Sequence, residues 1–364
     1  MKININENEK IGSLLNLWYE EIIKYNINGA QQIKNEIDTK IKETYLNPQA
    51  QIYYALLDFR FQVLIDGLSI NKQSFERIES LELPTDHSIQ YYYYFFKAIH
   101  ETILTNYNEA ETYFNKAEEL LVDSKDEIEK AEFNYRLATF YYQTYQPLLA
   151  IQQASKAKET FKKHGDYKVI VALCDNVYGL SCIDLKQYVQ AEESFDAAIN
   201  ILQKESKEDL LLRVRSNIGW LYENQNLATL AIRHLSEVNQ KIPNHVRAIF
   251  SEAEANYKLG EYQIAEDFIK RGLKVSKELE NQEYLHRFLI LQEMNKTLSA
   301  ERIENVVLEA VEYFKNHKLW EAIHEYTEKL AIKFYDEDNH HKASKYFYQS
   351  IEAHKQSMEK GALK

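Results

Sequence analysis

Turn-forming residues are scarce in this chain. It has 9 Gly and 4 Pro in 364 residues, too few to punctuate the many hairpins of a sheet protein. Leu, Ala, Glu, Lys, Gln and Ile are abundant instead, and these favour a helical backbone. The expectation is an all-α fold. Cysteine is nearly missing as well: Cys174 and Cys182 stand on one helical segment, too far apart to pair. They read as buried thiols of a chain kept in a reducing cytoplasm. No apolar run is long enough to cross a bilayer, and the opening MKININENEKIG has no apolar stretch behind a basic one, so neither membrane insertion nor secretion is expected. Positive charge is in deficit. A formal net charge of -12 repels phosphate backbones, which argues against nucleic acid and for a protein or peptide partner.

Motifs for small-molecule chemistry are also lacking. There is no P-loop, no GxGxxG, no HExxH and no CxxC, so nucleotide and zinc chemistry have no support in the sequence. His340 and His341 are adjacent, point about 100° apart on a helix and have no companion ligands, so no metal is expected there. The basic stretch Lys156, Lys158, Lys162, Lys163 and His164 reads as a solvated helix end.

Aromatic residues, by contrast, are plentiful. The 27 Tyr and 16 Phe sit in a chain of mean hydropathy -0.52, and tyrosine suits helix pairs that bury a ring while its hydroxyl finds a polar partner. The run Tyr91 to Tyr94 is read as helix-pair packing. From Ile11 to Thr44 two amphipathic patterns appear, Ile11, Leu14, Leu15, Trp18, Ile22 and then Ala30, Ile33, Ile37, Ile41, each at three-and-four spacing. Asn47 followed by Pro48 marks the start of a third helix, since Asn caps and Pro is tolerated at the first helical position. That helix is expected to run through Leu68. Ser69 to His87 lacks long periodicity and contains Pro84, so it is read as a partly ordered connection.

Beyond it one pattern recurs, an anchor followed by small or apolar residues three, seven and ten positions later. It appears as Tyr107, Ala110, Phe114, Ala117, then as Pro147, Ala150, Ala154, Ala157, and as Tyr188, Ala191, Phe195, Ala198. Weaker copies start at Leu227, Tyr262, Ile303 and His340. The anchors are 40, 41, 39, 35, 41 and 37 residues apart, slightly more than the roughly 34 of a tetratricopeptide repeat. Small residues at these points let the second helix of each pair approach the first, so each repeat buries its apolar face on its neighbours. The expected architecture is an N-terminal three-helix bundle (1-68), a linker (69-88) and a tetratricopeptide-repeat superhelix of about seven helix pairs (89-364). Such a superhelix offers a concave wall for a peptide.

The strings LNLWYEEI, YYALLDFRFQVLID, YYYYFFKAIHE, DEIEKAEFNYRLATFYY, DLKQY, SNIGWLY and YKLGEYQIAEDFIKRGL resemble, in order and spacing, those of the Rap family of Bacillus response-regulator aspartate phosphatases. Related peptide receptors carry an N-terminal helix-turn-helix; this chain has no basic recognition helix there. The resemblance implies a bundle that docks on a response regulator and a repeat domain that binds a Phr-type peptide, whose binding releases the regulator. Members act either by dephosphorylating the regulator or by sequestering it without chemistry. The resemblance carries two peptide-binding positions onto Asp184 and Asn217, and Ser181 and Trp220 join them as candidates. Tyr54, Leu57, Asp58 and Phe61 form a stripe on the third helix and are the candidate regulator-binding residues. Phosphatase members carry a Gln that orients water, with Mg²⁺ supplied by the regulator and no cofactor of their own. Here Pro48 aligns with that position and Gln49 lies beside it, which leaves Gln49 as the candidate catalytic residue. The alternative reading is a tetratricopeptide scaffold without enzymatic activity.

Overall fold

The computed structural model describes residues 3, 9–43, 46–67, 69–122, 124–296 and 299–361, and among these every regular element is helical. The N-terminal helices are α1 (Glu9–Ile23), α2 (Ile27–Glu43) and α3 (Pro48–Asp66). As the sequence indicates, Pro48 takes the first position of α3, and the Asn47 side chain accepts a hydrogen bond from the Ala50 N–H at 2.8 Å. Thr44 and Leu68, the expected ends of the second and third helices, lie outside the described residues. Between Ser69 and His87 come a 3-10 turn at Lys72–Phe75 and a single-turn helix, α4 (Glu76–Glu79). Phe75 and Ile78 of this connection are buried, and the Phe75 ring stands 5.0 Å from that of Phe59.

Seven helix pairs follow: α5 (His87–Ile103) with α6 (Tyr107–Leu121), α7 (Glu127–Gln143) with α8 (Pro147–Lys162), and α9 (Lys168–Asp184) with α10 (Tyr188–Lys204). Then come α11 (Glu208–Asn224) with α12 (Ala228–Lys241), α13 (Val246–Lys258) with α14 (Tyr262–Glu278), α15 (Gln282–Lys296) with α16 (Ala300–Asn316), and α17 (Trp320–Asp336) with α18 (His340–Gly361). Ala110, Ala117, Ala150, Ala157, Ala191 and Ala198 are all inaccessible to solvent, as the spacing predicts. One register is corrected. The residues buried on α16 include Ala300, Ile303, Val307 and Ala310 at the repeat spacing, with Val311 and Phe314 beyond them, so that repeat starts at Ala300 and Ile303 is its second position. The basic stretch needs a smaller correction: Lys158 pairs with the buried Asp175, while Lys156, Lys162, Lys163 and His164 are exposed.

The scarcity of glycine has a structural counterpart. Among the described residues nine non-glycine positions, including Thr105, Tyr145, Asn226, Lys318 and Asp338, adopt positive φ between 53° and 62° at the tight turns, and Gly260 alone supplies the residue type such turns most often use. Bonds spanning the turn hold them, such as Asn106 N–H to Glu101 C=O at 2.9 Å and Leu319 N–H to Phe314 C=O at 2.9 Å. Glycine is used instead where helices come closest: a Cβ on Gly272 would overlap the Phe288 ring, and one on Gly219 would lie 2.6 Å from Leu235 Cγ.

The chain divides into two compact bodies. One comprises Met1–Cys182 with Asn200–Glu205, the other Ile183–Ile199 with Ser206–Lys364. The three N-terminal helices therefore pack in the same body as α5 to α8.

Candidate functional site

In the first body the N-terminal helices are tied to the repeats by buried polar groups. Glu129 of α7 is almost wholly buried and accepts three tyrosine hydroxyls: Tyr19 of α1 at 3.1 Å, and Tyr91 and Tyr92 of α5 at 2.8 Å each. One turn along α7, the buried Glu132 takes the Arg60 guanidinium of α3 at 2.8 Å and that of Arg136 at 3.0 Å. Burial, with the charge of Glu129 next, pushes the Tyr19, Tyr91 and Tyr92 phenols well above their usual range. They stay protonated and serve as donors. The tyrosine-rich string of α5 and the acidic string of α7 thus form one lock, with a carboxylate at its centre.

On the outer side of the N-terminal helices, Tyr54 and Asp58 of α3 meet Lys34 and Asp38 of α2. The Tyr54 hydroxyl donates to Asp38 at 2.5 Å, and Lys34 reaches the Tyr54 oxygen at 2.8 Å and Asp58 at 3.0 Å. Burial works against the Lys34 ammonium, yet its hydrogen bonds to Tyr54 and Asp58 raise it above the usual lysine range. Tyr54 and Asp58 are half-buried and present polar atoms on this surface. Leu57 and Phe61 do not. Both are core residues, 0% and 2% exposed, with the Phe61 ring 5.7 Å from that of Trp18. The stripe is thus divided between packing and surface, and Leu57 and Phe61 drop out as regulator-binding candidates, because α3 buries residues around most of its circumference, including Ile52, Tyr53, Leu56 and Phe59.

At the start of α3, Pro48 is exposed and Gln49 half-buried. The Gln51 amide donates to Leu46 C=O at 2.8 Å, which commits it to the local backbone. The Gln49 side chain makes no hydrogen bond among the described residues.

The expected peptide-binding residues fall on first helices. Asp184 ends α9 in the second body and is open to solvent. Desolvation by its surroundings, then the negative charge of Glu321 on α17, raise its carboxyl to about 7, while Arg247 on α13 pulls it back. Asn217 is buried on α11, one turn before the half-buried Trp220. The guanidinium of Arg247 lies over the Trp220 ring, 4.5 Å from its centroid, and forms no ion pair among the described residues. Ser181 does not join this set: it is fully buried, and its hydroxyl donates to Val177 C=O of its own helix at 2.9 Å. Arg247 is the residue that sequence reading missed. A lone arginine on a first helix carries no local signal; only the fold sets it over Trp220.

First helices adjoin one another within the second body, α11 against α13 and α13 against α15. Lys329 of α17 reaches back to Glu254 of α13 at 2.7 Å, which ties these two first helices together. Burial, then the charge of Glu254, raises Glu223 far above the carboxylate range. Glu254 goes the other way: burial would raise it, but Lys329 outweighs that and holds it ionised. Protonated Glu223 therefore donates to Glu254, and this part of the wall is internally neutralised. Asp184 and Arg247 lie on the same wall of first helices as Asn217 and Trp220.

The family model described as response regulator aspartate phosphatase H, N terminal, matches residues 5–66. The chain is similar to the regulatory protein RapF of Bacillus subtilis (strain 168), 26% identical over 354 residues that cover 93% of this chain and 92% of the relative. It is also similar to response regulator aspartate phosphatase I of the same organism, 25% identical over 361 residues covering 96% and 91%. Among solved structures, a Rap protein complexed with competence and sporulation factor shares the fold, with a TM-score of 0.81 and 23% identity over 97% of this chain and 99% of that one.

Proposed function

This chain belongs to the Rap family, and from that premise we propose that it is a peptide-controlled regulator that binds a bacterial response regulator and inhibits it until a short Phr-type peptide releases it. One observation carries the reading. The likeness to regulatory proteins and aspartate phosphatases runs through the N-terminal helices as well as the repeats, whereas a generic repeat scaffold would share only the latter. In this reading residues 1-68 hold the regulator through the surface around Tyr54 and Asp58, 69-88 connect, and 89-364 bind the peptide. The working compartment is the cytoplasm, where response regulators act.

The peptide lies along the wall of first helices. Asp184 accepts peptide N–H groups or the terminal ammonium, Asn217 supplies both a donor and an acceptor, and Arg247, stacked on Trp220, offers its N–H edge to a carboxylate. Binding there favours an arrangement of the N-terminal helices that cannot hold the regulator. The buried Glu129 and Glu132 contacts support this coupling, because they make α1, α3, α5 and α7 move as connected pieces.

Inhibition proceeds by sequestration. Pro48 has no group to orient water. A dephosphorylating route would need the Gln49 amide to position a water for attack on the phospho-aspartate, breaking the acyl phosphate and releasing inorganic phosphate, with Mg²⁺ held by the regulator. The test compares Gln49→Ala with Pro48→Gln against a phosphorylated regulator. A parent that binds without phosphate loss, and gains turnover in Pro48→Gln, bears the proposal out. A parent with rapid turnover, abolished by Gln49→Ala, overturns sequestration.

A further inference from the structure

The last helix pair brings together three side chains, none of which is assigned to hold the peptide or the regulator. Glu321 and His324 stand one turn apart on α17, and His354 comes from α18. One ligand atom of each lies within 4.8 Å of those of the other two, and the two imidazoles are 4.7 Å apart at their centroids, tilted by 34°.

Their hydrogen bonding prepares them for a cation. His324 Nδ1 lies 3.2 Å from the Ser350 C=O, which can only accept, and 2.7 Å from the Ser350 hydroxyl, which in turn donates to His324 C=O at 3.2 Å. That places the His324 proton on Nδ1 and leaves the Nε2 lone pair bare, the arrangement in which an outer partner fixes a metal-binding histidine. His354 Nδ1 is buried and has no hydrogen-bond partner, a cost that a bound cation would remove. The Ser357 hydroxyl donates to Glu321 Oε2 at 2.9 Å and orients the carboxylate.

We propose that Glu321, His324 and His354 form a binding site for a divalent transition-metal ion, zinc foremost, that fastens α18 to α17. Two imidazoles and one carboxylate are borderline donors suited to zinc and its neighbours rather than to magnesium or calcium. With metal–ligand bonds of about 2.1 Å, tetrahedral donors sit ~3.4 Å apart, so side-chain rotations of about an ångström close the set. Three protein ligands leave a fourth position for water. The effect on the fold is local: a bound ion cross-links α17 and α18, which supply all three ligands. The inference does not rest on the proposed regulatory role.

The experiment uses the full chain stripped by chelator and titrated with Zn²⁺ by calorimetry, with Co²⁺ as an optical probe. The expected result is one equivalent bound, visible d–d bands with Co²⁺, and a raised melting temperature with Zn²⁺. Glu321→Gln, His324→Ala and His354→Ala each weaken binding by more than about 100-fold, whereas Ser350→Ala, which removes only an outer partner, costs about 10-fold to 100-fold. The His340→Ala/His341→Ala double variant binds as the parent does. Binding that persists in both His324→Ala and His354→Ala overturns the proposal, and so does a parent whose melting temperature ignores Zn²⁺, a reading that needs no variant to fold.

Discussion

Replacing Tyr92 by Phe removes one hydroxyl from the buried lock and little else, which makes it a clean perturbation of the first body. The ring stays packed 5.2 Å from Tyr19 and 5.4 Å from Tyr53, so no cavity opens. What is lost is a 2.8 Å bond to a carboxylate that is 2% exposed, together with the hydroxyl's hydrogen bond with Tyr53. A hydrogen bond to a charged group contributes about 1.5–3 kcal/mol, and the same holds for Tyr91→Phe. Because both donors serve one carboxylate, the double variant should depart from additivity by about 0.5–3 kcal/mol. Glu129→Ala deprives three hydroxyls of their acceptor at once and should exceed either single change. Urea unfolding followed by Trp18 fluorescence, with Trp220 and Trp320 replaced by Phe, reads the first body separately, since Trp18 is completely buried there. If Tyr92→Phe and Tyr91→Phe each fall within about 0.5 kcal/mol of the parent, the change typical of featureless surface sites, the lock contributes nothing and the coupling built on it fails.

Asp184→Ala and Asn217→Ala should each weaken the cognate peptide by about 1–3 kcal/mol in calorimetry, with the melting temperature nearly unchanged; Arg247→Ala should do the same and also release the Trp220 ring. Peptide affinity should rise from pH 6 to pH 8. The Asp184 carboxyl, raised to about 7, is mostly protonated below that range and becomes an ionised acceptor as pH passes through it, and Asp184→Asn should flatten the profile. Gly272→Ala should destabilise the second body by about 1–3 kcal/mol, because the added methyl meets the Phe288 ring and outweighs the gain of up to about 1 kcal/mol in helix propensity.

Helices were the readable part of this sequence, since small residues at three, seven and ten positions past each anchor correspond to close contacts between paired helices. Two registers were available around Ile303, because Ile303, Val306, Val307 and Ala310 satisfy the spacing from either start; only the burial of Ala300 decides. On α3 apolar residues occur on nearly every side, so periodicity said nothing about which of them faced out, and Leu57 and Phe61 were misplaced. Charged residues in the core were the largest gap. Patterning sends Arg60, Glu129 and Glu132 to the surface, and nothing local distinguishes them from solvated neighbours until the tyrosines and arginines that satisfy them arrive from helices far along the chain. The turns were nearly as hidden, for among the described residues most left-handed positions are held by residues such as Thr105 and Lys318 that carry no turn signal, Asn226 and Asp338 being exceptions.

The central claim is that one molecule binds both a response regulator and a peptide, and that the peptide expels the regulator. It is tested most directly by titrating a Phr-type peptide into the preformed complex of this chain with its response regulator and following the regulator by fluorescence anisotropy. The account predicts complete release at saturating peptide, with the midpoint moved to higher peptide concentration by Asp184→Ala. A ternary complex that keeps the regulator bound at saturating peptide would contradict it.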